Sequence, residues 1–416
     1  MRGWRPGRAR THGRIAAALA TAGLLAVTAC TGAPASGAPS AADPTPSPGV
    51  SVRAPNSAVA AQLDMAVAGV MRQAGVPGVI VGLWIPGKGS YVRSFGIADK
   101  SSGTAMSEAM RMRIGSVTKT FTVTALLRLV DAGKVGLDDP VSDYVKDVPN
   151  GERITLRQLA EMRSGLYPYT DDPDFDKDFL SDPDRVFTPQ QLLAYSFKHP
   201  VGFPPGQKFQ YSNTNLILLG LVVEKASGQS LRDYLREQVL EPGHLDHTLF
   251  PAGAEFPEPH AQGYTEQTPD GEEANATNWD PSWAWAAGAM ISDLSDLRAW
   301  ARILAMGTLL EPATQAQRLK MLPTGFPGTA YGLGIFVSHG WIGHNGSLPG
   351  YQTVAVYLPS AKATLVVLSN TDNNYQGNEN STLFAKAVTS IVTPGNVYDV
   401  PPTQTAPGSP SASPSG

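Results

Sequence analysis

Apolar residues return at helical spacing from Ala58 to Ala74, and two strand-like runs, Val79–Trp84 and Tyr91–Ile97, follow on either side of Pro86-Gly87-Lys88-Gly89. Turn residues between two such runs reverse the chain, so this stretch reads as a helix followed by a hairpin. The other end of the chain has a similar pattern. Tyr331–Val337, Tyr351–Leu358 and Thr364–Leu368 are strand-like, with Gly, Pro and Ser between them, and Ser381–Val392 is helical again. Between the two ends, from about Leu137 to Trp300, helical patterns (Thr155–Met162, Pro189–Phe197, Leu216–Ala226, Ser230–Gln238) are joined by loops rich in Pro and Asp. This order predicts an α/β protein of the α+β kind. One antiparallel sheet is built from both termini and flanked by helices, with a mainly helical lobe inserted at about 137–300. Active sites commonly lie at the junction of two such lobes.

The extreme termini follow different rules. Arg2, Arg5, Arg8, Arg10 and Arg14 precede an uncharged apolar run, Ile15–Ala29, which is shorter than the roughly 20 residues a membrane-spanning helix needs. Residues 1–29 therefore read as a cleaved signal peptide and imply an exported protein. The run ends in Val27-Thr28-Ala29-Cys30, which resembles the lipobox of bacterial lipoproteins, and Cys30 is the only cysteine in the chain. Acylation of Cys30 would fix the protein to the membrane, facing outward; the alternative is plain secretion. Residues 30–55 are Ala, Pro, Ser, Gly and Thr with almost no large apolar side chain, the composition of a disordered tether. The folded domain is expected over 56–395, and 396–416 is expected to be a disordered tail.

Composition narrows the function. Hydrophobic residues make up 42% and charged residues 16%, enough apolar surface for a large core. Losing the five arginines of the leader takes the formal charge from −4 to −9, which leaves nothing basic to attract nucleic acid.

Three short patterns carry candidate chemistry. Ser116-Val117-Thr118-Lys119 opens a long apolar segment, Phe121–Val130, that reads as a buried helix. A spacing of three puts serine and lysine on one face. The serine amide, in the first helical turn, has no helical acceptor and is free to face an anion. A lysine drawn into an apolar cleft loses affinity for its proton and can activate the serine. The second pattern is Tyr211-Ser212-Asn213, in a loop leading into a helix. Its tyrosine can serve as acid and base, and its asparagine can bond a substrate amide and the lysine together. The third is His344-Asn345-Gly346-Ser347, where glycine permits close approach to a strand, His344 supplies positive or polar character, and the Ser347 amide can complete an oxyanion hole.

S-x-x-K, Y-x-N and H-x-G each occur once, in this order. Together they resemble the serine β-lactamase and D,D-peptidase superfamily, particularly the class C β-lactamases and related carboxypeptidases and esterases. The likeness extends over about residues 60 to 392, through Ile154–Leu159, Met162–Leu166, Phe209–Asn213, Ala287–Met290 and Gly343–Gly346. It implies the β-lactamase/transpeptidase-like fold, with catalytic roles for Ser116, Lys119, Tyr211, Asn213 and His344. Ser116 and Ser347 become the oxyanion donors, and Asn345 and Gly346 border the substrate.

Two departures from the pattern bear on the substrate. Asn345 stands where relatives that grip a carboxylate often have Thr or Ser, and Ile335-Phe336-Val337 offers no cation on the preceding strand. An asparagine can still donate a hydrogen bond, but with no charge awaiting a C-terminal carboxylate the D-Ala-D-Ala carboxypeptidase reading is weakened. Among three tryptophans, Trp279, Trp283 and Trp285, Trp283 is the candidate wall of the substrate groove. His244-Leu245-Asp246-His247 has no second ligand cluster, so neither metal nor cofactor is expected. The resulting expectation is a serine hydrolase forming an acyl-enzyme with an amide, ester or β-lactam carbonyl. Its substrate would be a small molecule or a peptidoglycan-type acyl donor at the cell envelope. The alternative is a penicillin- or peptidoglycan-binding envelope protein without turnover.

Overall fold

Two helices from opposite ends of the sequence lie against the same face of one sheet. The computed structural model describes residues 52–401; the leader, Cys30, the tether up to residue 51 and the tail from 402 lie outside the described residues. Nine strands form the main sheet: β1 (Gly78–Ile85), β2 (Gly89–Asp99), β3 (Thr104–Ala105), β4 (Leu322–Pro323), β5 (Thr329–Tyr331), β6 (Phe336–Ser338), β7 (Trp341–Leu348), β8 (Tyr351–Leu358) and β9 (Ala363–Ser369). Their order is β3-β2-β1-β9-β8-β7-β6-β5-β4, and every pairing is antiparallel. The two ends of the chain meet where β1 pairs with β9, Val79 opposite Ser369 and Trp84 opposite Thr364.

Strand alternation divides the core in two. Val79, Val81 and Leu83 point with Val354, Val356, Leu365 and Val367 toward helices α1 (Ser57–Ala74) and α5 (Asn380–Val392). Ile80, Ala355, Val366 and Leu368 point the other way, into the larger core that contains α2 (Thr118–Asp131) and α3 (Asn213–Ser227). Helix α2 is buried nearly all round between sheet and helical lobe, as the mainly apolar run Phe121–Val130 predicts, with Thr122 and Thr124 buried among its apolar side chains. Phe121 stacks on Trp300 at 3.9 Å, and the Trp300 indole donates to Thr120 Oγ1 at 2.7 Å.

The structure differs from the sequence reading at three places. Tyr331–Val337 is two short strands, β5 and β6, because the chain turns back at Gly332–Ile335, where Gly334 takes a φ of +65° and has Val123 against its α-carbon. The inserted lobe ends before residue 300. Ile291–Ser292 pairs with Met112–Arg113, and α4 (Leu294–Met306) then packs on β8 and β9. The packed domain also runs past residue 395 into the expected tail: Tyr398 is fully buried, and Ser338 Oγ donates to the Asp399 carbonyl at 2.5 Å.

Candidate active site

The backbone enters the site through Ile114, whose amide donates to the Met290 carbonyl, and rises through Gly115 at φ +50° into a tight turn, Gly115–Val117, that runs on into α2. Ser116 is half-buried on this turn, and Lys119, one turn later, is fully buried. Lys119 Nζ stands 2.8 Å from Ser116 Oγ and donates to the Ala287 carbonyl at 2.7 Å. Among the described residues no carboxylate pairs with it. Burial without a counter-charge pushes its pKa well below the usual lysine value, so the amine is ready to accept the serine proton.

Tyr211 lies in the extended segment before α3, with its ring 4.9 Å from Lys119 Nζ and 6.1 Å from the His344 ring. Burial of its hydroxyl raises the phenol pKa, and a hydrogen bond with Ser116 works in the opposite direction. Because 37% of the tyrosine remains open to solvent, water tempers the rise. Serine, lysine and tyrosine thus converge as the sequence predicts.

Strand β7 brings the third pattern against the first. A β-carbon on Gly346 would lie 2.1 Å from the Ile114 carbonyl oxygen and 2.8 Å from the Ser116 amide; one on Gly115 would lie 2.6 Å from the Ser347 amide. Only bare backbone fits at this crossing, and the close fit sets the amides of Ser116 and Ser347 side by side, as an oxyanion hole requires.

His344 is buried and neutral. Burial lowers its pKa to about 3; a hydrogen bond to the Asn345 carbonyl opposes the shift, and proximity to Lys119 adds to it. Nδ1–H donates to the Asn345 carbonyl at 2.5 Å, so Nε2 is left to accept the Tyr331 hydroxyl at 3.1 Å. Of the positive or polar character expected of His344, the fold keeps the polar one, because nothing near the ring compensates a buried charge.

Two other assignments shift. Asn213 does not reach Lys119: Ala287 takes that place, and the Asn213 amide points to Thr170 Oγ1 at 3.5 Å. Trp283 packs 5.0 Å from Phe179 and 6.1 Å from Phe175, and its carbonyl accepts the Tyr169 hydroxyl. It borders a small cavity with Arg113, Trp279, Leu348 and Pro349, which none of the catalytic side chains lines. Asn345 turns its amide to Glu379 at 2.7 Å. One histidine of the Pro-Gly loop, His247, comes together with Asp293 and Asp296, and these groups are occupied with one another: the His247 ring bonds Asp293 at 2.6 Å. Asp293 caps α4, and Asp296 accepts from the His247 amide and Thr248.

Sequence reasoning missed Tyr331 and Glu379. Tyr331 reads only as a strand residue, and Glu379 as a polar residue before a helix; neither lies in a recognisable pattern. The Ala287 carbonyl falls within a segment marked by the resemblance, but a backbone acceptor leaves no sequence signal.

Comparison with known proteins bears on the family and the fold. A family model described as Beta-lactamase matches residues 63–388. The crystal structure of a D-stereospecific amidohydrolase from Streptomyces sp. is 29% identical with a TM-score of 0.72, covering 80% of this chain and 98% of that one. The D-amino acid amidase from Ochrobactrum anthropi SV3, complexed with D-phenylalanine, is 28% identical with a TM-score of 0.70, covering 79% and 98%. Protein flp of Staphylococcus aureus (strain MRSA252) is 27% identical over 329 residues, which are 76% of this chain and 63% of that protein.

Proposed function

The chain belongs to the beta-lactamase family and is a serine hydrolase, and from that premise we propose that it hydrolyses amides or esters of small amino acyl compounds outside the cytoplasm, through an acyl-enzyme on Ser116. The observation that carries this reading is the 2.8 Å approach of a buried lysine amine to the serine hydroxyl. With its pKa depressed by burial, Lys119 accepts the hydroxyl proton as Oγ attacks the carbonyl carbon. The oxyanion is met by the Ser116 and Ser347 amides. The leaving amine or alkoxide takes the proton that Lys119 received, with the Tyr211 hydroxyl beside it. Water then attacks the ester and releases the acid.

The choice among acyl donors is supported by charge. A neutral His344 and the apolar side chains of Phe336 and Val337 on β6 offer no cation to a substrate carboxylate, which disfavours a peptide ending in a free acid. The likeness to the D-stereospecific amidohydrolase and the D-amino acid amidase favours short D-amino acyl amides. The arginine-rich leader and Cys30 support export and a lipid anchor facing outward.

The test is a fluorescent phosphonate probe with a panel of D-amino acid amides, esters and β-lactams. We expect covalent labelling that disappears in Ser116→Ala, and turnover of amides or esters. Labelling that persists in Ser116→Ala would remove that residue from the reaction. A penicillin that acylates and stays bound, with no turnover of any donor, would favour a binding protein.

A further inference from the structure

Glu379 immediately precedes α5, and its carboxylate bonds none of the helix amides. Gln352 serves that end instead, its side-chain oxygen accepting from the Ser381 amide at 3.2 Å. The Glu379 carboxylate turns to strand β7 and accepts from Asn345 Nδ2 at 2.7 Å, one residue from His344. Among the described residues it has no cationic partner and no other hydrogen bond. Its charge is felt at the Tyr211 hydroxyl on one side of the strand pair and at Tyr398 on the other, so it stands at the sheet edge between the two faces, and burial raises its own pKa.

A withdrawn carboxylate with one neutral donor is an incomplete arrangement, since burying an anion is costly until a cation or a proton meets it. The orientation of Asn345 is also informative. A carboxylate only accepts, so the amide must present its NH2 group and keep its oxygen for something else. One Glu379 oxygen and the Asn345 side-chain oxygen are therefore two acceptors left to a ligand. Asn345 and Ser347 lie two residues apart on the same face of β7, roughly 7 Å between α-carbons. A carbonyl oxygen held at the Ser347 amide would place an adjacent amino group within reach of the Asn345 side chain. A metal ion would need several more oxygen ligands than this corner supplies.

We propose that Glu379 and Asn345 form the subsite for the substrate's ammonium group, so that the enzyme selects acyl donors with a free, cationic amine next to the scissile carbonyl. The ammonium bonds the Glu379 carboxylate and the Asn345 oxygen, and Glu379 acts on specificity by contact with substrate. This rests on the serine hydrolase reading above and narrows its substrate class.

The experiment compares D-phenylalanine p-nitroanilide with its N-acetyl and N-succinyl derivatives, in the wild type and in Glu379→Gln. The glutamine keeps an oxygen for Asn345 and removes only the charge. The wild type should favour the free amine over the acetylated compound by roughly tenfold or more in kcat/KM, with the anionic succinyl compound slowest. In Glu379→Gln the free-amine rate should fall by about tenfold while the acetylated rate stays within about twofold. Equal rates on free and acetylated compounds in the wild type, or a uniform loss in the variant, would overturn the subsite. Turnover of none of the three by protein whose Ser116 reacts with the phosphonate also overturns it and leaves the serine hydrolase reading intact. Failure of phosphonate labelling sinks that reading itself.

Discussion

The two ends of the catalytic cleft each hold an ionisable group cut off from counter-ions, and burial drives them in opposite directions. Lys119 loses its proton more easily because the charged ammonium is stripped of water; Glu379 holds one more tightly because the carboxylate is stripped likewise. Their neighbours differ in kind. Lys119 is fixed by a backbone carbonyl and touches the nucleophile, whereas Glu379 is held by one side-chain amide and keeps an open oxygen. The same desolvation creates a base at one end and an unmet demand for positive charge at the other. A buried charge should therefore be interpreted by what it touches, not by its shift alone.

The comparison breaks most sharply at Lys119. Lys119→Met fills a similar volume without a titrating group, and the acylation rate measured by stopped flow should fall by about 10²- to 10⁴-fold with the melting temperature little changed. Wild-type acylation in this variant would show that the proton goes elsewhere. Gly346 sits where the two ends join, and a β-carbon there meets the Ile114 carbonyl at 2.1 Å. Gly346→Ala should push β7 away from the Ser116 turn and lower kcat by roughly 10²-fold, as expected when an oxyanion donor is displaced. An unchanged kcat would remove Ser347 from that role.

The smallest expected effect concerns His344, the uncharged spacer between the two ends. Its folded pKa of about 3 lies below the ordinary 6.5, so the stability it contributes is complete above 6.5 and is lost as pH falls toward 3. Denaturant melts at about pH 7.5 and about pH 5 should show the wild type losing roughly 1–2 kcal/mol more than His344→Gln. An equal loss would mean that the ring takes up its proton in the fold as readily as in the unfolded chain.

How much of this was legible in the sequence depends on the kind of signal. Sheet and helices could be read because burial leaves its pattern in the sequence: Ser381–Val392 is apolar at helical spacing, and Val79–Trp84 is a short continuous apolar run, buried on both faces. The split of Tyr331–Val337 into two strands could not, because it depends on glycine turning at a contact with Val123. Ser116, Lys119 and Tyr211 could be found because their residue types and spacing are themselves the chemistry. Tyr331 and Glu379 could not, since each acts by reaching across from another element: Tyr331 to a histidine two strands away on β7, Glu379 to an asparagine 34 positions back. The neutrality of His344 belongs to the same class, because charge state follows from surroundings that only the folded chain assembles.

The amide of Arg53 donates to the carbonyl of Val392, the last residue of α5, whereas Glu379 stands just before that helix's first residue. With 13 residues at 1.5 Å each, the point where the chain enters the domain is set back roughly 18 Å along α5 from the cleft corner. The N-terminal entry to the described domain and the Asn345–Glu379 corner thus stand at opposite ends of one helix.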